Sequence, residues 1–306
     1  MRALFVIPVV VASLCLSSCY IDGVGYGERF DKDFHSSYPL KAGGRLTVET
    51  FNGSVEISGW DQDTVDISGT KYGPTQSEAD NLQVNIDATA DSVSIRVPHP
   101  PLGRNQGARF VIKIPRNATV SRVTTSNGSI RTQDGVGPAR LKSSNGSIHV
   151  TDFRGNLDAE TSNSAIELLN VEGDVTAHSS NGHIHAERLA GSLDASTSNG
   201  GIQASLALAD RPVRAETNNN SVELSFPAHF SSDVRVSTNN GGITLRLPES
   251  TNARVTARTS NSSVTTDLEI KTHGEISRNH LDGVIGAGGP LIDLGTSNGG
   301  IRLLRR

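Results

Sequence analysis

The sequence predicts an all-β chain, a single-domain β-solenoid (β-helix-like) whose rungs are about 18 residues long. The coils are expected to be right-handed, as parallel crossovers overwhelmingly are, and capped by longer strands at the C-terminus. Three observations carry this. One phrase returns at a fixed interval: TTSNGSI at 124–130, KSSNGSI at 142–148, ETSNSAI at 160–166, HSSNGHI at 178–184 and STSNGGI at 196–202. Apolar residues alternate with polar ones on either side of each copy, which is the period of a strand. The composition has 4% aromatic residues and 31 glycines, few large anchors for a wide core and many turn formers.

The first 18 residues read as a lipoprotein signal peptide and stand outside the fold. Arg2 is a short positive n-region, and the apolar run from Ala3 to Leu16 is short for a bilayer span. The run ends Leu16-Ser17-Ser18-Cys19, which resembles the bacterial lipobox, so Cys19 is the expected lipidation site. Two or more acyl chains anchor stably, since each buried CH₂ contributes about 0.8 kcal/mol. Loss of Cys15 with the signal and acylation of Cys19 leave no free thiol, so no disulfide supports the fold. Tyr20 after Cys19, by resemblance to Gram-negative lipoproteins, points to the outer membrane. Residues 19–40, with Gly23, Gly25 and Gly27, read as a tether, and 41–306 as the solenoid, with tandem repeats over about 121–210.

From Leu46 onward short alternating runs mark strands: Leu46-Val48, Val55-Ile57, Val65-Ile67, Val93-Ile95-Val97 and Phe110-Ile112-Ile114. A helical turn is expected over Ser77–Leu82, and Pro98, Pro100 and Pro101 open a loop to Gln106. In the tandem region Asn127, Asn145, Asn163, Asn181 and Asn199 recur every 18 residues, with looser copies at Asn219, Asn240, Asn261 and Asn298 and an earlier one at Asn52. Counting from each Asn, the inward residues are expected at +3 (Ile130, Ile148, Ile166, Ile184, Ile202), +5, +12 and +14. Phe153, Val171 and Leu189 at +8 close the end of the core. Coils stacked at about 4.8 Å place each Asn above another, so their amides can bond as a structural ladder. Gly or Ser beside each Asn is expected to tolerate a positive φ at that corner. The competing arrangement is an antiparallel meander, because Asn-Gly also makes tight hairpin turns. Toward the end, from Asp267, longer strands with Gly turns read as the cap, and Arg302, Arg305 and Arg306 as a solvated basic tail.

The opening LTVETFNGSVEISGWDQDTVDI, the TSNGSI copies and the closing IGAGGPLIDLGTSNGGIRL together resemble a bacterial envelope family known as "putative adhesin", with auto-transporter adhesin head-like relatives. The likeness covers about residues 40–306. It implies a β-solenoid, no catalytic residues and no cofactor, and some relatives suggest an accessory role in envelope-stress signalling.

Candidate chemistry is sparse. Outward positions at +4 hold Arg131, His149, Glu167, His185 and Gln203. His149 and His185 with Glu167 between them have the donor types of a zinc site, but two coils separate the histidines by nearly 10 Å. Calcium rolls share the 18-residue turn yet need GGxGxD at both corners, which this chain lacks. A polysaccharide-active enzyme on such a scaffold would need paired acids at a defined separation. A net charge of −4 with scattered Lys and Arg excludes the basic footprint of a nucleic-acid binder. The expected function is therefore non-enzymatic: a lipid-anchored envelope protein, held to the membrane through Cys19, that presents its repetitive surface to an envelope polymer or protein.

Overall fold

A computed structural model describes residues 29–99, 105–227, 231–272 and 277–306. Cys19, the signal sequence and most of the proline loop lie outside the described residues. Those described fold into 27 strands and one short helix. The strands form two long sheets of 13 and 14.

Through the repeats the pairing is parallel. Strands Ile130–Gln133, Ile148–Arg154, Ile166–Glu172, Ile184–Ala190 and Ile202–Leu208 lie side by side in one sheet. The strands between them in sequence, Ala139–Lys142, Leu157–Thr161, Val175–Ser179 and Leu193–Thr197, lie side by side in the other. The chain thus crosses between the sheets at every Asn and Gly corner, and the antiparallel meander is overturned. Register explains why: Ile130, Ile148, Ile166, Ile184 and Ile202 fall in one row and are all buried. Opposite them Leu157, Val175 and Leu193 form a second buried row, backed by Leu141, Ala159, Ala177 and Ala195. A shift of one residue would turn every one of these side chains to water. The inner residues of both sheets form a single apolar cluster.

Phe153, Val171 and Leu189 also point inward, at a position that strict alternation would turn out. The residue before each adopts a left-handed conformation: Asp152 (φ 53°), Asn170 (φ 56°) and Arg188 (φ 54°). One such residue inserts a bulge and re-aims the next side chain. Asp and Asn tolerate this region, and Arg188 adopts it at the equivalent place in the next coil.

The N-terminal end departs from the tether reading. Phe30–Pro39 is a ten-residue strand, antiparallel to Thr64–Gly73 over its whole length. Its aromatic residues supply the reason. Phe34 is in register with Gly69, and Gly69 with Phe110. A Cβ on Gly69 would lie 2.1 Å from the Phe34 ring, so glycine there lets Phe34 reach Phe110, edge to face at 6.1 Å between centroids. The helix spans Gln76–Asn81, with Thr75 as its N-cap accepting from the Glu78 N–H.

The C-terminal end holds the largest surprise. The last coil, Leu291–Thr296 and Ile301–Arg305, does not lie beyond the coil Ala253–Thr259 and Val264–Thr266 that precedes it in sequence. It is inserted between that coil and Val234–Thr238 with Ile243–Leu247. The cap beyond is antiparallel: His280–Ile285 pairs with Ala253–Thr259 and with Ile270–Thr272. The basic tail is likewise held, not fully solvated. Arg305 Nη1 lies 2.8 Å from Glu249 Oε1, and Arg306 Nη1 donates to the Phe226 carbonyl at 2.8 Å.

Candidate binding surface

The asparagine corner is a continuous row of amide hydrogen bonds. Asn127 Nδ2 donates to Asn52 Oδ1 at 2.5 Å, Asn145 to Asn127 at 2.6 Å, and Asn163 to Asn145 at 2.6 Å. Asn181 donates to Asn163, Asn199 to Asn181, Asn219 to Asn199 and Asn240 to Asn219, at 2.7–2.9 Å. The row then follows space rather than sequence. Asn298 donates to Asn240 and Asn261 to Asn298, each at 2.7 Å. Every amide donates in the same direction, so the dipoles align. Apart from half-buried Asn52 these side chains are exposed, so each bond contributes the modest net of about 0.5–1.5 kcal/mol rather than averting a buried orphan.

Beneath this row runs a buried one that reasoning from sequence missed. Two residues before each Asn stands a hydroxyl: Thr125, Ser143, Thr161, Ser179, Thr197, Thr217, Thr238, Thr259 and Thr296, all buried. Each donates to the backbone carbonyl one residue past the Asn of the neighbouring coil, as Ser143 does to Gly128 (2.9 Å) and Thr217 to Gly200 (2.8 Å). Several also accept from their own turn, as Ser179 does from the Gly182 N–H (2.9 Å). Buried backbone groups need such partners, and the hydroxyls supply them where the chain leaves the sheet. The signal was present, since Ser or Thr fills that place in every copy.

The glycine that follows the Asn has a different reason from the one expected. A positive φ occurs at Gly53, but not at Gly128, Gly146, Gly182, Gly200, Gly241 or Gly299. In those six a Cβ would fall 1.7–2.0 Å from a carbonyl oxygen of the neighbouring coil. Close approach of the stacked backbones leaves no room for a Cβ at those six, whereas Ser164, Asn220 and Ser262 fill the same place in other coils.

Outward residues form rows of their own. On one sheet Glu56, Arg131, His149, Glu167, His185, Gln203 and Glu223 are in register from coil to coil. His149 Nδ1 lies 2.9 Å from Glu167 Oε2, whereas His185 turns to Glu187 at 3.1 Å. The two histidines are therefore not brought together on Glu167. Among the described residues no group of three or more His, Cys, Asp or Glu is placed to hold a metal. On the other sheet Arg140 faces Asp158 (3.4 Å), and Lys142 Nζ lies 2.6 Å from Glu160. That hydrogen bond from Lys142 holds the Glu160 carboxyl below the usual carboxylate range. Bonds from Ser192 and then Arg211 do the same for Asp174. A cleft of ≈ 420 Å³ is lined by Arg116, Asp134, Asp152, Arg154, Asn170 and Glu172. Its charges are largely matched, with Arg116 on Asp134 at 3.1 Å and Arg154 on Glu172 at 3.6 Å. Chemically these faces offer charged and neutral hydrogen-bonding groups at every coil, many of them already paired with one another.

No family model matches the chain, and no curated protein matches it. Solved structures do. One is a "putative adhesin" from Parabacteroides merdae, 11% identical, covering 89% of this chain and 96% of that one, with a TM-score of 0.42. A "putative cell adhesion protein" from Clostridium sporogenes is 11% identical over 90% of this chain and 100% of its own, with a TM-score of 0.24. A "putative lipid binding protein" from Parabacteroides distasonis is 13% identical over 91% and 98%, with a TM-score of 0.32. What the chain is similar to in structure is thus a set of bacterial proteins named for adhesion or for lipid binding.

Proposed function

We propose that the chain is a β-solenoid of roughly 18-residue coils, anchored in a bacterial outer membrane through lipidated Cys19, that acts by binding and not by catalysis. The observation that carries this reading is the outward row Arg131, His149, Glu167, His185, Gln203 and Glu223, held in register by parallel pairing. Residues of both charges and neutral hydrogen-bonding groups recur at the strand spacing of about 4.8 Å along it. Such a row suits a partner that lies along the sheet stack and meets each coil in turn, an extended envelope polymer or an envelope protein. The lipobox supports the address. The first strand begins at Phe30, so the connection from Cys19 is shorter than the 19–40 tether.

The test separates anchor from binding. Cys19→Ala is expected to release the protein from detergent-free membranes into the soluble fraction. The released protein is expected to rebind purified cell-envelope fragments saturably. Retention in the membrane fraction would remove the anchor, and absence of saturable rebinding would remove the binding role.

A further inference from the structure

The inserted C-terminal coil has a near twin beside it. Ile292, Leu294, Thr296 and Asn298 stand in the same places as Val255, Ala257, Thr259 and Asn261 of the coil they displace outward. Both sets match the coil below: Val234, Val236 and Thr238 are in register with Ile292, Leu294 and Thr296. The sequence spacing also fits direct stacking. Asn240 follows Asn219 by 21 residues, and Asn261 follows Asn240 by 21. Hence 253–266 carries everything needed to sit directly on 234–247: the inner row, the buried hydroxyl and the corner amide.

We propose that the C-terminal coil, 291–306, occupies a strand-insertion slot that has a second, closed state. In it 253–266 docks directly on 234–247, and 291–306 is released as a free segment. The closed state solves a problem set by chain order. Residues 253–266 precede 291–305, and an open slot would leave four strand edges unpaired. Closing one coil lower pairs them. Insertion then replaces that contact with two equivalent ones and buries Ile292, Leu294, Ile301 and Leu303. The connection between the cap strand and the insert is a short glycine turn, with Gly286 (φ 58°), Gly288 (φ 81°) and Gly289 (φ 154°) before Pro290, and its hydrogen bonds run to Asn252 and Arg254 of the coil that would move with it. Contacts special to the inserted state lock it. The Leu291 N–H donates to Asp233 Oδ1 at 2.8 Å, Arg235 pairs with Asp293 at 3.3 Å, and the Arg305 N–H donates to Asp267 Oδ1 at 2.7 Å.

Disulfide trapping in the full chain, with Cys15→Ser and Cys19→Ser as background, reads the two states. Corner residues on adjacent coils lie about 4.8 Å apart, and those two coils apart about 9.6 Å. A disulfide needs Cα atoms about 4.4–6.8 Å apart. Asn240→Cys with Asn298→Cys is expected to close readily under mild oxidation. Asn240→Cys with Asn261→Cys, two coils apart in the inserted state, is expected to close more slowly. In those closed molecules 291–306 becomes sensitive to protease. Asn219→Cys with Asn261→Cys, three coils apart in the inserted state and still two apart in the closed one, is expected to remain open. Failure of the 240/298 pair to close, or failure of the 240/261 pair, overturns the proposal. So does closure of 240/261 without exposure of the tail, or closure of 219/261 at the same rate, which reports general unfolding.

Discussion

Phe153→Ala is expected to lower the stability of the domain by about 3–5 kcal/mol, measured by denaturant unfolding. Phe153 is fully buried, and its ring rests on the backbone of the coil before it. A Cβ on Gly135 would come within 2.9 Å of the ring, and one on Gly137 within 3.1 Å. The next coil places the smaller Val171 in register with Phe153, and the one after it places Leu189 there. A thin two-sheet core has no second layer of side chains to relax inward, so the cavity term should be close to full. A loss under about 1 kcal/mol would mean that the ring is not packed between coils.

Thr197→Val should cost nearly as much for a different reason. The shapes match, so the loss reports the hydroxyl. That hydroxyl donates to the Gly182 carbonyl at 3.0 Å and accepts from the Gly200 N–H at 3.3 Å, all within a buried corner. Each buried backbone group left without a partner costs about 1–3 kcal/mol. Thermal unfolding of Thr197→Val and of the rescuing Thr197→Ser checks it: the valine variant melts earlier and the serine variant melts near the parent. Equal melting of all three would show that water replaces the hydroxyl.

How far the sequence could be read follows from what each residue reports. The row Ile130 to Ile202 was legible because a fixed interval and strict alternation leave one way to bury every isoleucine together. The amides were legible because identical side chains stack at identical corners. The hydroxyls at Thr161 or Ser179 were not, since Ser and Thr suit exposed turns equally well and only depth distinguishes the roles. Gly128 and its equivalents were misread for a related reason: crowding by a neighbouring coil leaves no trace in a local pattern. Phe34 was overlooked because its partner, Phe110, lies two strands away in the sheet, across Gly69. The insertion of 291–305 was invisible, because the spacing from Asn240 to Asn261 satisfies direct stacking as well as the true order does. Of the surface, the outward row could be named by counting, but the pairing of His149 with Glu167 and of His185 with Glu187 needed the side chains in place.

The repeated phrase builds the stack, and the proposed function assigns the variable outward positions to a partner. One measurement divides these roles most directly: saturable binding of Cys19→Ala protein to purified envelope fragments, below the melting point of every variant. Combined Arg131→Ala, Glu167→Ala and His185→Ala should weaken binding at least about tenfold, about 1.4 kcal/mol, while leaving the melting temperature nearly unchanged. Thr197→Val should lower the melting temperature and bind as the parent does. Undiminished binding by the triple variant, or loss of binding by folded Thr197→Val, would contradict the account.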